Sequence, residues 1–381
     1  MEKFQSYETA DVVVVGGGVI GLAIARELAR RRVGSVMIIE RSEFGRQASF
    51  AAAGMLAPQA EADVADDFFR LCCRSRDLYS GFAESLREET GIDIELDRTG
   101  TLYCAFTAED QEELEERHSW QTRAALPVEK LSARETRELE PCVAADLREA
   151  LKFPLDIQVE NRRLLNALVT ANENLRVKLL TRMTVESLRV ERGQVAGVDT
   201  SAGFISSRKV VVAGGAWTSM IGTGGGPQIR IEPVRGQMLC FESKPTIARH
   251  VIYSPRGYIV PRRDGRLLAG STTEEVGFAG GVTDAGIQSI RLHALEISSQ
   301  VSALPLIDSW SGFRPRASDS LPVLGAVSET KGLFYATGHY RNGILLAPLT
   351  GKLIAGLIAD NVVSPELGAF APDRFAPVGV N

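Results

Sequence analysis

The sequence lacks the cysteine and histidine patterns that hold metal ions or disulfides. Its 381 residues include five cysteines and four histidines. No two cysteines form a CxxC pair, and no two histidines stand at the spacing of an HExxH motif. We therefore expect reduced, mostly packed thiols, with neither a metal site nor a disulfide framework.

Long apolar runs and an excess of basic charge are also missing. No apolar run approaches the roughly 20 residues that a membrane-spanning helix needs. The first residues show no basic segment followed by an apolar one, which is the pattern of a secretory signal. The net charge of −5 and the pI of about 5.6 argue against nucleic acid as a partner. These absences predict a cytoplasmic protein without an integral membrane segment, and its length predicts two domains.

The first forty residues predict one βαβ unit. Residues 11–15 form an almost wholly apolar strand, of the type that is buried inside a parallel sheet. Residues 19–31 place apolar side chains on one face of a helix and basic residues in its last turn. A second apolar strand at residues 36–40 completes the unit.

Three glycines stand between the first strand and the helix. Gly16, Gly18 and Gly21 form GxGxxG, in which glycine permits a tight turn, close approach to a pyrophosphate and close packing of helix on sheet. The phosphate would lie at the helix N-terminus, where free N–H groups and the helix dipole favour negative charge. Glu40 ends the second strand, where a carboxylate can accept hydrogen bonds from an unphosphorylated ribose. The unit predicts a dinucleotide site and leaves FAD and NAD both open.

The stretch that follows Glu40 distinguishes between these cofactors. Residues 41–59 read RSEFGRQASFAAAGMLAPQ, with small side chains from Gln47 onward. Such a stretch can place backbone and a hydroxyl along a diphosphate and then under a flat ring. A nicotinamide-dependent dehydrogenase more often continues into another helix and strand. The stretch therefore favours FAD.

The rest of the chain alternates between helical and strand patterns. Helices are predicted at residues 72–90, 107–120, 287–304 and 343–360. Strands are predicted in a meander at 176–200 with its turn at 192–193, and at 209–213, 229–241, 250–261, 266–271 and 332–337. This order predicts an α/β (α+β two-domain) protein whose two domains are interleaved along the chain.

Four motifs resemble the D-amino-acid-oxidase-like family of FAD flavoproteins. They are AAAGMLAP at 51–58, AGGAW at 213–217, PVRGQ at 233–237 and GHYRNGILLAPLTGK at 338–352. The resemblance covers nearly the whole chain, from the glycine turn to PDRF at 372–375. It implies a Rossmann-type FAD-binding domain interleaved with a substrate domain built on a mainly antiparallel sheet. The implied FAD-binding segments are residues 1–90, 150–225 and 310–370, and the implied substrate-binding segments are residues 91–149 and 226–309.

The resemblance also implies how FAD is held. Relatives that attach flavin covalently use a cysteine in the C-terminal part, and no cysteine follows Cys240, so non-covalent FAD is expected. Gly54, Met55 and Leu56 would pass the flavin ring, although plain core packing is the alternative for Met55 and Leu56. Val185 would pair with the adenine. The implied cofactor-binding residues are Gly16, Gly18, Val19, Ile20, Gly21, Glu40, Arg41, Ala48, Ser49, Gly54, Met55, Leu56, Val185, Gly214, Trp217, His339, Arg341, Asn342, Gly343 and Ile344.

A substrate carboxylate calls for an arginine, whose planar fork binds both oxygens. Residues 310–325, WSGFRPRASDSLPVLG, offer Arg314 and Arg316. In the family the arginine of the GxRP pattern binds the carboxylate, which here implies Arg314, with Arg316 structural. Tyr258 matches the tyrosine that faces the substrate, and Arg341 matches a second arginine near the flavin. An ion pair for either arginine and a simply buried tyrosine are the alternatives.

The reaction that the resemblance implies is the oxidative deamination of glycine. Arg314 would fix the carboxylate, and hydride would pass from Cα of the neutral amine to flavin N5, giving an imine. Oxygen would reoxidise the flavin and form hydrogen peroxide. In the branch of the family that serves thiamine biosynthesis, the glycine imine is the useful product. Small D-amino acids and sarcosine are alternative substrates, and relatives suggest a homo-oligomer.

Three other functions remain open from the sequence. One is a D-amino-acid or sarcosine-type enzyme of the same family, including a dehydrogenase that passes electrons to a quinone. Another is a non-catalytic subunit in which FAD is structural, which predicts GxGxxG without a carboxylate-binding arginine. The last is an NAD-dependent dehydrogenase, which predicts no tightly bound yellow cofactor.

Overall fold

A computed structural model describes residues 8–225 and 228–375 of the chain. Its first elements are the predicted βαβ unit: strand Val12–Val15, helix Val19–Arg30 and strand Val36–Ile39. Every residue of both strands is buried, because the sheet that contains them is covered on both faces. The prediction from the apolar pattern is therefore confirmed.

The βαβ unit lies at the centre of a six-stranded sheet. Five of its strands run parallel, and Val323–Ala326 pairs antiparallel at one edge. In spatial order the strands are Val323–Ala326, Leu333–Thr337, Val210–Val212, Val12–Val15, Val36–Ile39 and Lys178–Leu180. We call it the parallel sheet. Its last strand corrects the sequence prediction, which placed residues 178–180 in the meander.

The parallel sheet is packed between helices and a smaller sheet. Val12 and Val14 belong to a core shared with helices Val19–Arg30, Asn161–Asn174 and Gly343–Asp360. Val13 and Val15 face the other side and pack against the smaller sheet. The strands of that sheet are Glu8–Thr9, Gly203–Ser206, Gln194–Thr200 and Val185–Glu191, with the predicted turn at 192–193.

A larger sheet of eight strands forms the second half of the molecule. Its strands in spatial order are Leu306–Ala317, Ile231–Glu242, Arg266–Gly270, Tyr258–Pro261, Val251–Tyr253, Thr101–Ala105, Glu149–Phe153 and Glu129–Ser132. Six of the neighbouring pairs are antiparallel, and only Val251–Tyr253 pairs parallel with Thr101–Ala105. The predicted mainly antiparallel sheet is therefore present. Its longest pairing joins Ile231–Glu242 to Leu306–Ala317, and the sequence did not predict the second of these strands.

The remaining helices lie along the chain between the strands of these sheets. They are Ala48–Ala51, Pro58–Glu61, Asp67–Asp77, Tyr79–Thr90, Ala108–Arg123, Ala133–Leu139 and Asp284–Ile297. Short 3₁₀ turns cover Gly215–Met220, Ser299–Ala303, Pro365–Phe370 and Pro372–Phe375, and strand Met55–Leu56 pairs with Ile157–Gln158. Two predictions are corrected. The single helix expected at 72–90 is two helices, and the helix expected at 287–304 ends at Ile297, because Ser298 is extended.

The C-terminal helix Gly343–Asp360 is long and apolar enough, by length and composition, to cross a membrane. However, 78% of that span is buried inside the protein. It packs against helix Val19–Arg30 in the core described above. Its apolar composition is therefore explained by its central position beside the parallel sheet.

Candidate active site

One cavity of about 420 Å³ opens where the two large sheets meet. The carboxyl ends of three parallel strands contribute Val15, Ile39 and Thr337 to its wall. The large sheet contributes Tyr258 and Arg314 from the opposite side. Ligands of open parallel sheets bind beyond the carboxyl ends of the strands, so this is the expected place for a cofactor.

The glycine turn forms one end of the cavity. Gly16 has φ +109°, and a Cβ built there would lie 2.3 Å from the carbonyl oxygen of Ala213. Gly18 precedes helix Val19–Arg30 and has no side chain with which to cap it. Gly21 does not line the cavity, and a Cβ there would lie 1.9 Å from the carbonyl oxygen of Gly16. Its role is therefore the close packing of the helix on the turn, while Gly16 and Gly18 leave backbone exposed to a ligand.

Two oxygen-bearing side chains stand beside this turn. The Glu40 carboxylate accepts a hydrogen bond from the Gly17 backbone N–H at 2.7 Å and another from the Ser42 N–H at 2.9 Å. The Ser49 hydroxyl accepts one from the Val19 N–H at 3.1 Å. Both side chains line the cavity. A negative group at the end of the second strand and a hydroxyl at the helix start suit the ribose and diphosphate of a dinucleotide.

A second helix N-terminus opens into the same cavity. Helix Gly343–Asp360 begins after Asn342 without a side-chain cap, and both residues at its start line the wall. His339 is buried just before it, with Nε2 3.2 Å from the Thr350 hydroxyl. Burial lowers the pKa of His339 to about 3, so the ring is neutral near neutral pH. Each helix N-terminus carries about half a positive charge, and two of them favour an anionic ligand.

The small-residue stretch at 51–57 passes along the cavity wall. Gly54 has φ +74°, and a Cβ there would lie 2.1 Å from the Val159 carbonyl oxygen. Behind it, the Arg262 guanidinium donates to the carbonyl oxygens of Ala53 at 2.6 Å and Val159 at 2.9 Å. Burial lowers the pKa of Arg262 to about 10. This buried arginine therefore fixes the backbone of the stretch.

Arg314 lies on the large sheet with its guanidinium in the cavity. Its Nη1 donates to the Thr272 carbonyl oxygen at 3.0 Å and its Nη2 to the Ser271 hydroxyl at 2.7 Å. Within residues 8–225 and 228–375, no carboxylate forms an ion pair with it. A Cβ at Gly236 on the neighbouring strand would lie 2.4 Å from the guanidinium. Gly236 therefore provides the space in which Arg314 lies across the strand.

Tyr258 and Arg341 also line the cavity. The Tyr258 hydroxyl is 3.4 Å from the Met238 sulfur, and its ring lies 5.4 Å from that of Tyr253. Glu61 accepts hydrogen bonds from the Tyr253 hydroxyl at 3.2 Å and from Arg341 at 3.5 Å. The Glu61 carboxylate raises the pKa of Arg341. Arg341 therefore forms an ion pair at the helix start, which the sequence left open as the alternative to a role near the flavin. It also borders the cavity.

The structure brings together all but two of the residues predicted from the sequence. Gly21 packs inside the turn, and Leu56 is fully buried in the core, which fits the packing alternative. The residues that line the cavity are Gly16, Gly18, Val19, Ile20, Glu40, Arg41, Ala48, Ser49, Gly54, Met55, Val185, Gly214, Trp217, Tyr258, Arg314, His339, Arg341, Asn342, Gly343 and Ile344.

Sequence reasoning missed the residues that hold these groups in place. Glu61 stands two residues after the small-residue stretch at 41–59, and a carboxylate at that position could have indicated a partner for an arginine. Ser271, Arg262 and Gly236 gave no local signal, because each acts through a partner that is distant in the chain. Across the part of the chain that the structure describes, no cluster of three His, Cys, Asp or Glu residues could hold a metal ion.

The cavity thus combines a glycine turn, an acidic strand end, two helix N-termini and an arginine without an ion-pair partner among the described residues. This combination defines a flavin-type dinucleotide oxidoreductase. The chain belongs to the DAO family of FAD dependent oxidoreductases, whose model matches residues 11–357. FAD is therefore its cofactor, and the open glycine cradle fits that group.

Several characterised proteins are similar to this chain along nearly its whole length. The bifunctional protein ThiO/ThiG of Trichormus variabilis is 38% identical over 96% of this chain, which spans 55% of that protein. The glycine oxidase of Geobacillus kaustophilus is 37% identical over 97% of this chain and 98% of its own length. The crystal structure of glycine oxidase from that organism superposes with a TM-score of 0.92 at 36% identity, covering 96% of this chain and 98% of that one.

Proposed function

We propose that this protein oxidises glycine, with FAD as the electron acceptor and oxygen as the final oxidant. The observation that carries the proposal is the Arg314 guanidinium, which faces the cofactor cavity without a carboxylate partner among the described residues. The names of relatives that match almost end to end support the choice of glycine. The chain spans about half the length of the bifunctional relatives, so only the oxidase half of their function is proposed here.

Arg314 binds the substrate carboxylate in this proposal. Two of its five N–H groups are used by Thr272 and Ser271, which leaves donors for both carboxylate oxygens. Those same two bonds fix the plane of the guanidinium before the substrate arrives. Binding energy is then not spent on ordering the arginine, so the carboxylate can anchor the reacting carbon.

Tyr258 and Arg341 limit the space around the bound amino acid. Tyr258 is buried at the cavity wall, and Arg341 is held by Glu61 at the helix start. The neutral substrate amine then lies between the carboxylate anchor and the small-residue stretch. When bound, FAD supplies the two-electron acceptor that this oxidation requires. The protein contributes orientation and exclusion of water, and no side-chain general base is needed.

The remaining predictions are carried into the proposal. We propose non-covalent FAD, a cytoplasmic homo-oligomer, and release of glycine imine for the thiazole of thiamine. We also propose the domain division given above, with the FAD-binding segments 1–90, 150–225 and 310–370, except that residues 150–153 and 310–317 lie in strands of the large sheet and go with the substrate-binding segments. The cofactor and catalytic roles assigned to individual residues are likewise part of the proposal.

An anaerobic titration tests the proposed function. Purified yellow protein is mixed with glycine, D-alanine or sarcosine, and the visible flavin absorbance is followed. Bleaching by glycine that air reverses, with peroxide formed, supports the proposal. Bleaching that air does not reverse indicates a dehydrogenase that uses another acceptor. If none of the three amines bleaches the flavin, the substrate assignment is wrong and only the FAD enzyme remains.

A further inference from the structure

A loop of the large sheet reaches across to the cofactor side of the molecule. Residues 275–282, here called the Phe278 loop, belong to the connection between strand Arg266–Gly270 and helix Asp284–Ile297. Its tip carries two exposed apolar side chains, Val276 and Phe278. Gly277 between them has φ +58°, so the tip is a tight turn.

The two ends of this loop are firmly attached to the sheet. Glu274 pairs with Arg235 through both backbone hydrogen bonds, at 2.9 and 3.0 Å, and through its carboxylate at 2.9 Å. Gln237 donates to Glu274 at 2.6 Å and accepts from the Thr283 N–H at 2.8 Å. The Gly281 N–H donates to the Ser311 hydroxyl at 3.2 Å. The position of the tip is therefore set by the large sheet.

The Phe278 ring stacks on Trp217. The ring centroids are 5.3 Å apart with an interplanar angle of 28°. Phe313 supports both rings edge-on, at 5.5 Å from Phe278 and 6.2 Å from Trp217. Aromatic pairs at these distances are attractive beyond the area they bury. The contact therefore joins a loop of the large sheet to the segment that follows a parallel strand.

Trp217 in turn holds Arg41. The Arg41 guanidinium lies 4.2 Å from the Trp217 ring centroid, a cation–π contact. Both residues line the cofactor cavity, and Arg41 follows Glu40, the carboxylate at the end of the second strand. Val185 also lines the cavity, and the N–H of Met183, two residues before it, donates to the Glu40 carbonyl oxygen at 3.1 Å. Arg41, Trp217 and Phe278 therefore form a stack along the rim of the cavity, on the side of the ribose-binding carboxylate.

We propose that this stack holds the adenosine half of FAD in the cavity, and that Phe278 lowers the rate at which FAD dissociates. Phe278 does not line the cavity itself, so it acts by holding Trp217 and, through it, Arg41 against the rim. It is a positioning residue for cofactor binding. The inference depends on FAD binding and is independent of the proposed substrate.

The test measures FAD release from the holoenzyme. Each variant is diluted, and the rise in fluorescence of released FAD gives the dissociation rate. Phe278→Ala is expected to release FAD about three- to tenfold faster. At about 1.4 kcal/mol per tenfold this is roughly 0.7–1.4 kcal/mol, which lies inside the range for one aromatic pair. Phe278→Tyr keeps the ring and is expected to stay within twofold of the unaltered protein.

Val276→Ala is the matched control, because it removes an exposed apolar side chain from the same tip. It is expected to leave the release rate unchanged. The proposal is overturned if Phe278→Ala releases FAD at the unaltered rate, or if Val276→Ala accelerates release as much. Equal acceleration by Phe278→Tyr would also overturn it, because the ring would then not be the cause. The assay contains no substrate, so its result does not depend on whether the protein oxidises glycine.

Discussion

Replacing Arg314 with methionine is the most direct test of the proposed carboxylate anchor. Methionine keeps the apolar stem but removes every donor. Hydrogen bonds to charged groups contribute about 1.5–3 kcal/mol each, so losing two costs about 3–6 kcal/mol of substrate binding. At about 1.4 kcal/mol per tenfold, the expected loss is about 10²- to 10⁴-fold in the efficiency of glycine oxidation.

The assay is anaerobic stopped-flow reduction of the bound FAD at increasing glycine concentration. It separates weak substrate binding from slow reduction and does not depend on how oxygen reacts. Arg316→Met is the control, because Arg316 lies two residues further along the same strand but pairs with Glu232 at 3.1 Å and Glu275 at 2.7 Å. In the Arg316→Met variant saturated with FAD, glycine is expected to reduce the flavin as fast as in the unaltered protein.

Gly236→Ala perturbs the same arginine without altering it. The added Cβ would lie 2.4 Å from the Arg314 guanidinium, which must then move from its place on the strand. The efficiency of glycine oxidation should fall, as it does in Arg314→Met.

The Arg314→Met result can refute the proposed anchor. If this variant binds FAD and its efficiency stays within threefold of the unaltered protein, Arg314 is not the carboxylate anchor.

Three further predictions concern the cofactor and the fold. Glu40→Gln should weaken FAD binding about tenfold by fluorescence titration, because a ribose hydroxyl bonds a carboxylate more strongly than an amide. Gly21→Ala should lower the free energy of unfolding in denaturant titration, because its Cβ would lie 1.9 Å from the Gly16 carbonyl oxygen. In His339→Gln, the stability measured by thermal unfolding should fall less between pH 6.5 and 4 than it does in the unaltered protein. The folded pKa of His339 is depressed to about 3, so stability is lost as pH falls below its unfolded pKa, by about 1.4 kcal/mol per unit.

Each of these has a control or a contradicting outcome. Glu40→Gln with unchanged FAD affinity would show that the carboxylate serves only the Gly17 and Ser42 N–H groups. Gly81→Ala is the control for Gly21, because a Cβ at Gly81 meets no atom within 4 Å. It should be neutral or stabilising. If the stability of His339→Gln falls with pH as steeply as that of the unaltered protein, groups other than His339 dominate acid unfolding.

Local pattern was sufficient for the elements near the glycine turn. Strand Val12–Val15 and helix Val19–Arg30 are short-range structures, and each has the hydrophobic period of its own type. Strand Leu306–Ala317 had no such signal, because most of its residues are only partly buried and its alternation is weak. It is a strand because it pairs along its length with Ile231–Glu242, a partner that no local window contains. Non-local pairing overrode local preference there.

The sequence by itself determined the dinucleotide site. Gly16, Gly18 and Glu40 stand at fixed spacings inside one βαβ unit, so their geometry follows from elements of thirty residues. Only the tertiary structure decided how Arg314, the proposed carboxylate anchor, is held in the cavity. Ser271, which directly follows strand Arg266–Gly270, accepts a hydrogen bond from it, and Gly236 on strand Ile231–Glu242 leaves the space for its guanidinium. Side-chain direction depends on neighbours brought together by folding, and no spacing along the chain records them.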